Sequence, residues 1–370
     1  MSVEKTLKKE GIIVTGMLDT LKVNSVATNI AKKLISAFPE HDFQLADVFM
    51  KLSRLHMYTA NIPNGFSEAN YFYKNTSIYF NEKIDIEDLD TYAMHECIHY
   101  LQERKDKKGH LMRLGLCDLT EFKLYGLGIN EAAVQLATAK ATEAESDSVK
   151  YYGITFDTIS PSCYPLQSNL INQMAYITGE YVLFDSTFNS NNDFKNKFIE
   201  LTSKKAFYKI QDNFDKLLFA EEDLIKLNNE IETKEVLSSE IYKINTKIYK
   251  LKNLITNTFI ETQNLILTSY FDNSIKDISN LEDLENYRRK LYNYRNIIGI
   301  TENYNFFNTY YINMMTKLEE KHLQLENGEV ITQQTSLSIV KQNKFLKFIQ
   351  TIKNTLFKTD NTYEKIKDEQ

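Results

Sequence analysis

Residues 88–105 read Asp-Leu-Asp-Thr-Tyr-Ala-Met-His-Glu-Cys-Ile-His-Tyr-Leu-Gln-Glu-Arg-Lys, and the reading of this stretch decides the fold. Acidic residues gather at its front, from Asp85 to Asp90, and Arg104 and Lys105 close it. That is the charge order a helix dipole favours, so the spacing predicts a helix from Asp85 to about Lys105, with Gly109 ending it. At its centre, His95-Glu96-Cys97-Ile98-His99 is an H-E-x-x-H motif. Each helical residue turns about 100°, which stacks His95 and His99 on one face. Two imidazole nitrogens can then reach a single ion at the roughly 2.0–2.1 Å that zinc requires. Glu96 falls just beside the pair, where a carboxylate can take a proton from water without itself binding the metal. Met94, Cys97, Ile98 and Leu101 cluster on the opposite side and predict a face turned to a core.

Zinc chemistry needs a third protein donor and an open position. The best candidate is Glu131, in Gly128-Ile-Asn-Glu-Ala-Ala-Val-Gln135. It lies far enough beyond His99 for one helix to end and a second to fold back. That second helix is expected from Glu131 to about Ser148, after the connection Gly126-Leu-Gly-Ile-Asn130. Ala132, Ala133, Ala137, Ala139 and Ala141 let the two helices approach closely. His110 competes as a donor, but it follows Lys107-Lys108-Gly109 in an expected loop and ranks below Glu131.

H-E-x-x-H followed by Asn130-Glu131 at the head of a second helix resembles the gluzincin zinc metallopeptidases, the thermolysin-like group. The resemblance runs from Tyr71 to near Lys204. It implies that His95, His99 and Glu131 hold one zinc ion and that Glu96 is the general base for hydrolysis of a peptide or protein substrate. It also implies that a strand at Thr76–Phe80 forms the sheet edge along the cleft. Position 135 often carries an acid in such proteins, orienting a ligand histidine; here it is Gln135, whose oxygen can still accept an imidazole N–H. Asn130 stands in the same supporting shell. The family also supplies a Tyr or His that stabilises the oxyanion, for which Tyr164 and Tyr176 lie in the right part of the chain.

Around this motif the sequence predicts an α+β domain, residues 1–204, and an all-helical domain, residues 205–370. Ile30, Leu34, Ile35 and Phe38 have helical spacing, ending before Pro39. Asn61, Pro63, Asn64 and Gly65 mark a loop. Tyr71-Phe72-Tyr73 and Ser77-Ile-Tyr-Phe80 flank Lys74-Asn-Thr76 and predict a hairpin. A further apolar helix is expected over 166–187. Beyond Lys204, Ile241, Ile244, Ile248, Leu251 and Ile255 follow the spacing of a coiled-coil seam, first within the chain and second as a means of self-association. Helical stretches follow at 282–324 and 336–358, with a turn at Asn327-Gly328 and an apolar, core-like run from Tyr304 to Tyr311.

The 370 residues carry a net charge of −6 with both signs interspersed, which argues against a nucleic-acid partner. No apolar run is long enough to span a bilayer and no secretory signal is visible, so the expected compartment is the cytoplasm. The three cysteines, Cys97, Cys117 and Cys163, form no disulfide framework and read as small buried apolar residues. A different class of function fits the same sequence: a non-catalytic helical scaffold whose zinc site is structural or vestigial and whose long helices bind a partner.

Overall fold

A computed structural model describes residues 3–63, 68–85, 87–119, 124–233, 238–299 and 306–326. In chain order the elements are α1 (Val3–Glu10), β1 (Ile13–Met17), α2 (Thr20–Ala37), α3 (Leu45–Leu52), β2 (His56–Asn61), β3 (Ala69–Phe72), β4 (Ser77–Asn81) and α4 (Leu89–Gln102). There follow β5 (Glu103–Lys105), β6 (Leu111–Leu114), β7 (Asp118–Leu119), β8 (Leu124–Tyr125), α5 (Leu127–Ala141), β9 (Asp147–Tyr151) and β10 (Ile154–Thr158). The rest is helical: α6 (Pro165–Thr178), α7 (Glu180–Asn189), α8 (Asp193–Leu201), α9 (Lys204–Thr233), α10 (Ser238–Ser274), α11 (Leu281–Ile298) and α12 (Phe306–Glu326). The fold is α+β, with a small mixed sheet and a long-helix C-terminal region.

The sheet order is β1-β2-β4-β3, with β2 and β4 parallel and the other neighbours antiparallel. The expected hairpin is present as β3 and β4, in register from Ala69 opposite Phe80 to Phe72 opposite Ser77. The expected edge is not where the sequence put it. All five residues of β4 are buried, and the strand pairs on both sides, so Ser77–Asn81 is interior and Ala69–Phe72 is the edge. The cause is the chain's return path: β4 comes back between β2 and β3 rather than outside them.

Helix α4 packs against the sheet through β3 and β4. It is shorter than predicted because Glu103 turns extended (φ −59°, ψ 126°) to start the β5–β6 ladder. Gly109 closes the turn of that ladder, its N–H donating to the Asp106 carbonyl, instead of ending the helix. The apolar helix expected over 166–187 breaks at Gly179 into α6 and α7. Cys97 and Cys117 are buried as expected, whereas Cys163 is exposed.

Chain packing does not divide at residue 204. One compact unit comprises Met1–Asn273 with Asn296–Glu302, so α9 and α10 fold with the sheet and α4–α6. On α9, Phe207, Ile210 and Phe214 are each at most 2% exposed. Burial of such side chains is worth about 2 kcal/mol apiece, enough to commit the helix to this unit. The second unit is Ser274–Arg295 with Asn303–Gln370. Within its described part, Arg288 bridges Glu285 (2.6 Å) and Glu319 (3.0 Å), and the buried Tyr294 ring lies 6.2 Å from Phe307. The helix expected at 336–358, the turn at Asn327-Gly328, the tip of the loop at Asn64-Gly65 and the start of the run at Tyr304 lie outside the described residues. Among the described residues, no helix is long and apolar enough to cross a membrane.

Candidate metal centre

The one-helix geometry of the H-E-x-x-H motif brings the two imidazoles together as the spacing requires. The Nε2 atoms of His95 and His99 are 3.0 Å apart, and Glu131 Oε2 lies 3.2 Å from the first and 3.3 Å from the second. Four ligands at about 2.05 Å around a tetrahedral ion have edges of roughly 3.3 Å. His95, His99 and Glu131 therefore form a group whose donor atoms are spaced to hold one metal ion. His110 is elsewhere: its side chain is 72% exposed and pairs with Asp106 at 3.1 Å.

Glu131 arrives on α5, which begins earlier than predicted, at Leu127. Its first turn is seated by a remote residue. Asp215 of α9 accepts the N–H of Gly126 at 2.9 Å and of Gly128 at 2.8 Å, satisfying two backbone donors that a helix start leaves open. The two helices touch so closely that a Cβ on Gly128 would lie 2.3 Å from the Phe214 carbonyl oxygen. Gly126-Leu-Gly is thus a docking surface for α9, not a simple connection.

Both histidines are oriented by neutral amides. Behind His99 the chain of inference starts from the Leu116 N–H, which can only donate and does so to Asn130 Oδ1 at 3.0 Å. Gln102 Nε2 donates to that same oxygen at 3.2 Å. This turns Gln102 Oε1 toward His99 Nδ1, 3.3 Å away. Nδ1 therefore carries a proton, which leaves Nε2 as the nitrogen turned to the centre. Behind His95, Gln135 Oε1 accepts from Nδ1 at 2.9 Å, and Gln135 Nε2 donates to Ser160 Oγ at 2.9 Å. Ser160 in turn donates to the Cys163 carbonyl. Asn130 and Gln135 are where the sequence placed them. Gln102 and Ser160 were missed; Gln102 sits three residues after His99 on the same face, a readable signal, whereas Ser160 left none.

The centre's charges are strongly coupled. Burial alone would push His99 down, but the Glu131 carboxylate against it, with Glu96 nearby, pushes it up to about 9. Glu131 responds in the opposite sense: burial opposes its ionisation, yet the two histidines hold it well below the usual carboxylate range. Glu96 is pushed up, by burial first, against the pull of His95 and His99. Its Oε2 accepts the backbone N–H of Tyr71 at 2.9 Å, so the edge strand β3 positions it. Tyr71 is held in turn by its hydroxyl, which donates to Glu103 at 2.8 Å.

Of the two tyrosines, only Tyr164 reaches the centre. Its ring lies 6.1 Å from that of His95, and burial raises its phenol well above the ordinary range, keeping it a donor. The residue sits in left-handed backbone (φ 48°, ψ 47°), a conformation costing an aromatic roughly 1–2 kcal/mol. The Ser160–Cys163 bond braces it. Tyr176 is three turns further along α6, roughly 18 Å away at 1.5 Å per residue, and is not part of the centre. No family model matches the chain, and no curated protein or solved structure matches it.

Proposed function

We propose that the chain is a zinc-dependent peptidase on the zincin plan, similar to the gluzincins, with His95, His99 and Glu131 holding one zinc ion. The observation that carries this reading is the convergence of the three donor atoms at 3.0–3.3 Å beside a carboxylate, Glu96, that binds nothing in the centre. Zinc held there would supply Lewis acidity toward a carbonyl oxygen and toward water.

The chain's own residues supply the rest. Tyr71 N–H fixes one oxygen of Glu96, leaving the other to take a proton from the attacking water and return it to the leaving amine. A carboxyl raised by burial is the better proton acceptor near neutral pH. Among the described residues strand β3 pairs only with β4, so an extended substrate can pair with its outer side and lie across the centre. Tyr164 is placed to donate to the oxyanion that develops at the carbonyl.

The test is hydrolysis of an unstructured peptide library by the full-length protein. Activity should vanish with a chelator and return with zinc. Glu96→Gln should retain stoichiometric zinc while losing activity by about 10³-fold. Zinc-loaded wild type with no activity would leave a structural metal site in a helical scaffold as the better account, whereas Glu96→Gln with full activity would remove the general-base role from Glu96.

A further inference from the structure

Helices α9 and α10 run antiparallel, and their two halves differ. In one half they are closed: Asn213 Nδ2 donates to Thr262 Oγ1 at 3.0 Å, Lys209 pairs with Glu261 at 3.1 Å, and Phe214, Leu217 and Phe259 are fully buried. Past Leu224 the helices flank an open hollow of about 590 Å³ instead. Its floor is Leu227, Leu251 and Leu254, all only half-buried, so among the described residues the apolar seam read from Ile241 to Ile255 runs on here without a cover.

The rim is basic. Lys226, Lys247 and Lys250 line it against a single acid, Asp223, on a chain whose net charge is −6. Lys226 pairs with Asp223 at 3.6 Å and Glu222 at 3.8 Å. Among the described residues, Lys247 and Lys250 have no acidic partner. The side chains of Asp223 and Lys226 are 64% and 67% exposed, so the hollow is a trough open to solvent. An acyl chain would need an enclosed cavity. A polypeptide carrying leucine-like residues on one face and carboxylates beside them meets both the floor and the rim.

The trough also adjoins the metal centre. Asp215, which seats Gly126 and Gly128 ahead of Glu131, and Asp223 of the trough lie eight residues apart on α9, roughly 12 Å at 1.5 Å per residue, so the near end of the trough lies beside the helix that bears Glu131. We propose that the α9–α10 trough docks an acidic, leucine-bearing stretch of the polypeptide whose backbone is presented to the metal centre. This rests on the peptidase reading for the second half of the statement and on the trough itself for the first.

The experiment measures fluorescence anisotropy of labelled twenty-residue Glu/Leu and Lys/Leu peptides with the full-length zinc-loaded protein, in a Glu96→Gln background to prevent cleavage. Wild-type residues in the trough should bind the Glu/Leu peptide and not the Lys/Leu peptide. Lys247→Glu with Lys250→Glu should weaken the Glu/Leu peptide at least about tenfold and admit the Lys/Leu peptide, with zinc content unchanged. With Glu96 intact, the same pair should raise KM for a long acidic substrate about tenfold with kcat within about twofold, leaving a short uncharged peptide unaffected. Equal affinity in the two proteins overturns the proposal, as does binding of both peptides alike or binding of phosphatidylglycerol vesicles in place of peptide. Charge-dependent peptide binding without hydrolysis of any substrate upholds the docking site and removes the peptidase reading alone.

Discussion

His99 and His95 present matching nitrogens to one centre, but the glutamines behind them rest on different foundations. Gln102, behind His99, is fully buried, and so is Asn130, which ties it to a backbone amide between α4 and α5. Gln135, behind His95, leads outward through Ser160 to the carbonyl of Cys163, the residue before the strained Tyr164. One histidine is oriented by the core, the other by the loop that carries Tyr164. If the chain is the zinc peptidase proposed above, holding the metal and shaping the reaction should therefore be separable by mutation.

The hardest blow to the core side is Gly115→Ala. Gly115 has φ +49°, and a Cβ there would lie 2.0 Å from Asn130 Oδ1 and 2.4 Å from Gln102 Nε2. We expect a loss of about 4 kcal/mol in urea unfolding together with loss of stoichiometric zinc. Retention of both would mean that the Gln102–Asn130 pair does not orient His99.

Next in size is a pH effect confined to the metal-free protein. His99 is raised from 6.5 to about 9, so its pairing with Glu131 stabilises fully below about pH 6.5 and is lost as pH rises through 9. Glu131 is depressed, so its contribution holds above about 4.5 and is lost only as pH falls through its lowered value. Metal-free stability should then be greatest between about pH 4.5 and 6.5 and fall by about 2–3 kcal/mol toward pH 10. Zinc takes the proton's place, so the loaded protein should show a much flatter profile. Denaturation curves across this range, with and without metal, check the sign.

The smallest and most discriminating test pairs Gln102→Leu with Gln135→Leu. Each should weaken zinc about 10–100-fold. Gln102→Leu leaves the buried Asn130 Nδ2 without the Gln102 Oε1 acceptor it reaches at 3.3 Å and should cost about 2 kcal/mol of stability; Gln135→Leu should cost about 1. Only Gln135→Leu should lower kcat in protein saturated with zinc, because only it loosens the loop carrying Tyr164. Equal kinetics for the two would erase the distinction between core and loop.

The sequence disclosed what is local and periodic. His95 and His99 share a face because of a four-residue spacing, and Glu131 could be picked because Asn-Glu heads an alanine-rich helix. Long-range pairing was hidden. Nothing near Asp215 signals that its carboxylate seats Gly126 and Gly128, so the sequence pattern starts α5 later than the structure does and places α9 in a separate domain. The β3–β4 hairpin was legible from its two aromatic runs, but which strand lay outermost depends on how β4 threads beside β2, which no local pattern encodes. Cys163 looked like a buried thiol by composition; its loop faces outward because Ser160 holds the Cys163 carbonyl, leaving the side chain exposed.

The seat that Asp215 provides has a consequence for how the protein matures. Both histidines and Glu131 emerge from the ribosome well before α9 does, yet the turn that aims Glu131 is fixed only when Asp215 arrives. A nascent chain stopped at residue 204 would possess every ligand and lack the brace that makes them a trio. On the proposed reading, metal loading would be a late step of biogenesis, after translation has passed α9.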